Sequence, residues 1–104
     1  VSMLKIHFIY RITMKLYSLI IITEQYTGTT IYDFWKNAEI NDRLVFRYLL
    51  QRGGKYQPTI KVVNLRTKQI FYAFPGDLVL KLNKMKFKEE MISASDIFDC
   101  EGIK

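Results

Sequence analysis

The sequence IKVVNLRTKQIFYAF, residues 60–74, carries the clearest secondary-structure pattern of the chain. Its first part, Ile60 to Leu65, is β-branched and alternates around Lys61, and its second part runs from Gln69 to Phe74. A polar segment, Arg66 to Lys68, separates them. β-branched and aromatic runs on either side of a short polar segment are typical of a β-hairpin. We therefore predict two antiparallel strands in this region.

Upstream of the hairpin, the sequence predicts one strand and one helix. Leu16 to Thr23 is a short isoleucine-rich run that ends at a turn-like segment, which indicates a strand buried on both faces. Thr29 and Thr30 then open a predicted helix over residues 31–39, with Asp33 three residues after Thr30 in a position like that of a capping box.

A second helix is predicted between the first helix and the hairpin. Asn41 is a good N-cap residue, and Gly53 is a good helix stop. The predicted apolar stripe consists of Val45, Phe46, Leu49 and Leu50. Arg43 and Arg47 would share the other side of this helix.

Beyond the hairpin, Pro75-Gly76-Asp77 ends the second predicted strand. Residues 78–86 are ambiguous, because their leucines alternate as in a strand but also fit one helical face together with Met85. We favour a short helix capped by Asp77, with a strand as the alternative. Met91 to Ile97 is a predicted last strand, and a polar acidic tail follows from Asp99.

These elements predict a small α+β domain with a mainly antiparallel sheet and two helices on one face. The 104 residues and their 49% hydrophobic content suit one domain with one modest core. Residues 1–13 are interpreted as a dispensable extension before an internal start at Met14, and residues 99–104 as a tail.

Cysteine usage and the N-terminal residues favour a cytoplasmic protein. The single cysteine, Cys100, excludes an intrachain disulfide framework and suits a reducing compartment. The apolar stretch from Leu4 to Thr23 contains Lys5, His7, Arg11 and Lys15, and charges near a bilayer centre are costly. We therefore predict no membrane-spanning segment and no membrane partner.

The net charge of +6 is concentrated in the middle of the chain. Between residues 43 and 88 the only acidic residue is Asp77, and from Glu89 onward the chain is acidic. The bases of this zone are Arg43, Arg47, Arg52, Lys55, Lys61, Arg66, Lys68, Lys81, Lys84, Lys86 and Lys88. Such a zone attracts nucleic acid, an anionic protein surface or acidic lipid, without choosing among them.

No arrangement of residues indicates catalysis or a cofactor. The only histidine is His7, and Cys100 lies between two acidic residues that disfavour its thiolate. Gly53-Gly54-Lys55 lacks the leading glycine and the following hydroxyl of a phosphate-binding loop. The carboxylates after residue 88 match no metal-binding spacing. We therefore predict a binding protein that is not an enzyme and holds neither metal nor cofactor.

Two candidate binding surfaces follow from the charged and aromatic residues. A protein-binding surface would combine aromatic residues with arginines, the types most enriched at binding hot spots: Tyr26, Tyr32, Trp35, Arg43 and Arg47. An alternative nucleic-acid-binding surface would combine bases with a stacking ring: Lys55, Lys61, Arg66, Lys68 and Tyr72. The ordinary structural interpretations are that Trp35 belongs to the core and that the lysines are solvated on strand faces.

The composition and length of the whole chain also resemble those of a known group of proteins. The chain resembles small polypeptides with which bacteriophages take over host proteins. The resemblance lies in its use of Ile, Lys, Asn and Tyr, its length, Val1 as first residue and the possible restart at Met14-Lys15-Leu16. More narrowly, the chain resembles a staphylococcal phage polypeptide that inhibits the host helicase loader, an AAA+ ATPase. The resemblance implies a host protein partner and a block of DNA replication. It rests on no diagnostic motif, so it assigns no residue a role.

Overall fold

The computed structural model describes residues 15–49 and 59–104. The strands are β1 (Tyr17–Glu24), β2 (Arg43–Leu49), β3 (Thr59–Asn64), β4 (Ile70–Ala73) and β5 (Lys86–Glu90). The helices are α1 (Asp33–Lys36), α2 (Pro75–Leu82) and α3 (Ala94–Glu101). The proposed extension and start site before residue 15, together with Leu50, Gly53 and Lys55, lie outside the described residues.

The five strands form one sheet in the order β4-β3-β2-β1-β5, and every neighbouring pair is antiparallel. The predicted α+β class with a mainly antiparallel sheet is therefore confirmed. The predicted hairpin is β3–β4, in which Val62 lies opposite Phe71 and Val63 opposite Ile70. Its turn places Lys68 in the left-handed region with φ 62°.

Helices cover both faces of the sheet, and each face has its own core. We call one side the two-helix face, where α1 and α2 pack on residues such as Ile20, Phe46 and Val62. We call the other side the α3 face, where Cys100 packs on Leu19, Val45 and Val63. Two helices do share one face, as predicted, but they are α1 and α2, and α3 is an addition.

The predicted first strand is confirmed as β1, and it is buried from both sides. Leu19 points to the α3 face, while Ile20 and Ile22 point to the two-helix face. All three side chains are buried. A central strand covered on both faces loses the alternation of apolar and polar residues, which explains its continuous apolar run.

The predicted second helix is wrong, because residues 43–49 form the central strand β2. Leu44, Val45 and Phe46 are consecutive and completely buried, which one face of a helix cannot achieve but a strand between two covered faces can. Asn41 is not an N-cap. It adopts φ 74° in the connection between α1 and β2.

The first helix exists but is a single turn, Asp33–Lys36. The predicted cap by Thr29 and Thr30 is wrong, because Tyr32 occupies the N-cap position without a side-chain cap. The hydroxyl of Thr30 instead accepts a hydrogen bond from the Tyr32 backbone N–H at 3.2 Å. Burial of Phe34 and Trp35 holds this short helix in place, since one turn is not stable by itself.

The helical interpretation of the segment after the hairpin is confirmed as α2. Leu78 and Leu82 are its buried residues. The predicted cap is wrong, because Phe74 is the N-cap and Asp77 lies within the first turn. Pro75 occupies a first-turn position, where a missing backbone N–H costs nothing.

The predicted last strand and tail are wrong. The last strand is β5, which ends at Glu90, and residues 94–101 form α3. Ser93 caps α3 in a reciprocal capping box with Asp96. Residues 99–104 are not a tail, because Cys100 is completely buried and Ile103 packs against the same core. No helix in the described ranges is long and apolar enough to cross a membrane.

Candidate functional site

Trp35, the central residue of the predicted protein-binding surface, lies in the core. It is completely buried, and its ring stacks on that of Tyr26 with centroids 5.4 Å apart. Phe34 packs edge-to-face on the same indole at 4.8 Å. Burial raises the pKa of the half-buried Tyr26 phenol above its ordinary value. Trp35 therefore belongs to the core, which was the ordinary structural interpretation of this residue.

Arg43 and Arg47 lie on the α3 face, across the sheet from Trp35. The Nη2 atom of Arg43 is 2.8 Å from Oδ2 of Asp96, and Nη1 of Arg47 is 3.1 Å from Oε1 of Glu101. Both carboxylates belong to α3. The structure therefore divides the five predicted residues between the two sides of the sheet and does not bring them together on one surface.

Tyr32 is the predicted aromatic residue that reaches the surface. Its side chain is 45% exposed, and its ring packs edge-to-face on Phe71 of β4 at 5.1 Å. Lys81 of α2 places its ammonium 5.0 Å from the centre of the Tyr32 ring. Tyr32 therefore links α1, β4 and α2 at one edge of the sheet.

Exposed residues from these elements line one hollow at the edge of the sheet, and we call this surface the β4-edge patch. Its exposed aromatic and aliphatic members are Tyr32, Tyr72 and Leu80, and the last two are 58% and 59% exposed. Phe74, which is 46% exposed, lies beside the patch at the junction of β4 and α2. The patch surrounds a hollow of about 270 Å³, whose other lining residues are Phe71, Ala73, Asp77 and Lys81.

Leu80 was missed by the sequence interpretation. A signal for Leu80 existed, because a helix that buries Leu78 and Leu82 must turn Leu80 away from the core.

The candidate nucleic-acid residues are also separated. Lys61 and Tyr72 are cross-strand neighbours on the α3 face. Arg47 and Tyr17 extend the same row across β2 and β1. Lys68 lies in the hairpin turn. Arg66 lies at the other end of that turn, where its side chain binds a buried carboxylate, that of Asp42.

That carboxylate, Asp42, is the best-connected buried acid of the described residues. It is 3% exposed and accepts hydrogen bonds from Arg66 Nε at 2.6 Å, Asn64 Nδ2 at 2.9 Å and the Glu39 backbone N–H at 2.8 Å. Burial alone would raise the pKa of Asp42, but these hydrogen bonds hold it below its ordinary value. Arg66 therefore has a structural role.

The acids on α3 are similarly engaged. Burial opposes ionisation of Asp96, but hydrogen bonds from Ser93 and Arg43 hold its pKa below the ordinary value. Tyr17 donates a hydrogen bond to Glu101, which raises the pKa of the phenol. Cys100 is buried, and burial raises the pKa of its thiol. The carboxylates of Asp96 and Glu101 therefore neutralise part of the basic α3 face.

Other features of the described residues offer less to a partner. A hollow of about 580 Å³ lies between α3 and the hairpin turn, and its lining combines one aromatic residue, Phe98, with Lys68, Asp99 and Lys104. No group of three or more His, Cys, Asp or Glu side chains in the described ranges is arranged to hold a metal ion. Three aromatic residues, Tyr32, Phe71 and Tyr72, line the hollow of the β4-edge patch, and we therefore take this surface as the candidate site.

Comparison with models of protein families, with curated proteins and with solved structures finds no match to this chain.

Proposed function

We propose that this chain is a phage-type inhibitory protein that binds a host DNA-replication protein, the AAA+ helicase-loader ATPase, through the β4-edge patch. The observation that carries a binding function is a hollow of about 270 Å³ lined by three exposed aromatic or aliphatic residues, Tyr32, Tyr72 and Leu80. Such patches on small proteins mark interaction sites. The resemblance to small phage polypeptides supplies the identity of the partner, and it implies action in the bacterial cytoplasm.

The patch is built on a rigid support, which favours tight binding. Tyr32 packs on Phe71, and Phe71 packs edge-to-face on the buried Trp35 at 5.5 Å. Side chains that are already ordered lose little conformational entropy when a partner covers them. Tyrosine is also among the residues most enriched at binding hot spots. The sequence-predicted role of Tyr32 is therefore retained in this proposal.

Charge favours an acidic partner surface. The chain carries a net charge of +6, and Lys81 lies directly over the Tyr32 ring in the patch. Complementary charge accelerates encounter and selects among partners more than it adds affinity. An acidic rim around an apolar centre on the loader ATPase would match this arrangement.

Leu80→Glu tests the proposal against a matched control, Phe98→Glu. Leu80 is 59% exposed in the patch, and Phe98 is 80% exposed on α3, away from the patch. We expect the unaltered protein to bind purified loader ATPase by calorimetry and to block helicase loading. We expect Leu80→Glu to weaken binding roughly 30-fold, as for loss of a hot-spot contact, and Phe98→Glu to leave it unchanged.

Two results would contradict this proposal. The first is that the unaltered protein neither binds the ATPase nor affects helicase loading. The second is that Leu80→Glu and Phe98→Glu weaken binding equally, because the β4-edge patch would then have no special part in it.

Nucleic-acid binding is a second candidate, favoured by the row of Tyr17, Arg47, Lys61 and Tyr72 across four strands. Alternating rings and cations on a sheet face suit stacked bases and phosphates. Fluorescence anisotropy with a single-stranded oligonucleotide tests it. The candidate predicts affinity that falls steeply with salt and falls further in Lys61→Met. An oligonucleotide that stays unbound at low salt would refute it.

A further inference from the structure

The two edges of the sheet differ in how they are protected. β5 forms one edge, and its exposed residues are charged: Lys86, Lys88, Glu89 and Glu90. β4 forms the other edge, and no charged residue occurs from Gln69 to Gly76. Charges on an edge strand discourage pairing with another chain. Charged side chains therefore protect the β5 edge from pairing with another chain, whereas β4 has no charged side chain that would do so.

The register shows which backbone groups of β4 are available. The Asn64 backbone N–H donates to the Gln69 carbonyl at 3.0 Å, so Gln69 faces β3. Backbone groups alternate in direction along an antiparallel strand. Those of Phe71 and Ala73 therefore also face β3, and those of Ile70 and Tyr72 face outward. Among the described residues, no strand pairs with this outer edge.

The hollow of the β4-edge patch lies immediately beside these outward groups. Phe71, Tyr72 and Ala73 line it from β4, and Leu80 and Lys81 line it from α2. An added strand would lie about 4.8 Å from β4, and its side chains would alternate between the two faces of the sheet. Every second side chain would thus reach the hollow, and the others would lie on the α3 face.

We propose that the edge of β4 accepts an extended segment of the partner protein as a sixth strand. This inference rests on the proposed function and specifies how the β4-edge patch recognises its partner. The segment has apolar side chains at alternate positions, which enter the hollow, and carboxylates between them, which lie on the α3 face. Main-chain hydrogen bonds then supply affinity, and the hollow supplies specificity.

The charge of the α3 face favours acidic side chains at those positions of the added strand that lie on this face. Tyr72 points to that face, and its cross-strand neighbour on β3 is Lys61. Lys68 lies at the start of β4 in the hairpin turn. The positive charge of these lysines would attract carboxylates of an added strand and repel lysines or arginines there.

Amide hydrogen exchange on the full-length, nitrogen-15-labelled protein tests strand addition directly. One probe is the purified loader ATPase, and the other is a synthetic heptapeptide of alternating valine and glutamate. We expect the amides of Ile70 and Tyr72 to exchange rapidly in the free protein and at least tenfold more slowly with either probe. The amides of β5 should not change, and a proline-containing peptide of otherwise equal composition should protect neither edge.

Tyr72→Pro and Tyr72→Phe form a matched pair of variants for the same test. Proline removes the outward N–H, which an edge strand tolerates, while phenylalanine keeps both ring and N–H. We expect binding of either probe to weaken about tenfold in Tyr72→Pro and to stay within twofold in Tyr72→Phe. If Tyr72→Pro does not fold, the exchange measurement on the unaltered protein decides the question.

The outcomes separate this inference from the proposed function. If Leu80→Glu weakens ATPase binding but Ile70 and Tyr72 remain unprotected, strand addition is wrong and the proposed function stands. If the peptide protects these amides and the ATPase does not bind, the proposed function is wrong and the edge still accepts an acidic strand. Protection that grows with the concentration of the protein alone would show pairing with a second copy and overturn the inference.

Discussion

Replacement of Asp42 by alanine should destabilise the protein strongly, although Asp42 belongs to no predicted site. Its carboxylate joins the hairpin turn to the segment between α1 and β2 through Arg66, Asn64 and the Glu39 backbone. Asn64 is completely buried, so its amide finds no water when the carboxylate is removed. Arg66 is exposed enough to be solvated instead.

The magnitude follows from the groups left without a partner. An unsatisfied buried amide costs about 1–3 kcal/mol, and the lost hydrogen bond to the Glu39 backbone costs about 0.5–1.5 kcal/mol. Together they give a loss of about 2–4 kcal/mol. A domain of this size has a free energy of unfolding of about 5–15 kcal/mol. The midpoint of thermal unfolding should therefore fall by roughly 10–30 °C.

Thermal and urea unfolding of the parent, Asp42→Ala and the control Asp99→Ala measure this effect. Asp99 is exposed on α3, so its replacement should change stability by less than about 0.5 kcal/mol. Because folding lowers the pKa of Asp42, the folded state binds fewer protons than the unfolded state near pH 4. Its stabilisation is full above about pH 5 and is lost as the pH falls through the folded pKa.

The difference in stability between the parent and Asp42→Ala should accordingly narrow as the pH falls below about 4. A variant as stable as the parent at neutral pH would refute the structural role given to Asp42. A difference that widened in acid would refute the sign of the pKa shift.

Two further predictions concern α3 and its contact with the sheet. Ser93→Ala should lower the free energy of unfolding by about 0.5–2 kcal/mol, because it removes the capping box, whereas Ser95→Ala should have little effect. Equal effects of the two substitutions in urea unfolding would contradict the assigned cap. Cys100 should react with a thiol reagent far more slowly in the native protein than in denaturant, because the thiol is buried and its pKa is raised. A native labelling rate like that of a free thiol would show that α3 does not cover this face.

The strands that local sequence predicts correctly are those whose pattern has one interpretation. The hairpin has β-branched and aromatic residues on both sides of a polar turn, and β1 is a short isoleucine-rich run. Both patterns depend on steric preferences of the residues themselves. They could be predicted without knowledge of any neighbouring element.

The two segments that were predicted wrongly show where local patterns have two interpretations. Val45, Phe46 and Leu49 fit a helical stripe, but β2 buries neighbouring residues on opposite faces, since helices cover both sides of the sheet. The last segment has isoleucines that favour a strand, but Ser93 and Asp96 form a capping box that starts α3. The capping pattern was present in the sequence and was outweighed by the apolar residues.

The candidate site was harder to predict from the sequence than the fold, because the site depends on which side chains the tertiary structure exposes. The sequence alone determined the basic middle of the chain, the hairpin and the aromatic residues around Tyr32, because charge and residue preference are local properties. Only the folded chain decided that Trp35 is buried, that Arg43 and Arg47 face α3, and that no strand of the described residues pairs with the outer edge of β4. Exposure is set by which elements pack on each face and edge of the sheet, and contacts between residues distant in sequence determine that packing.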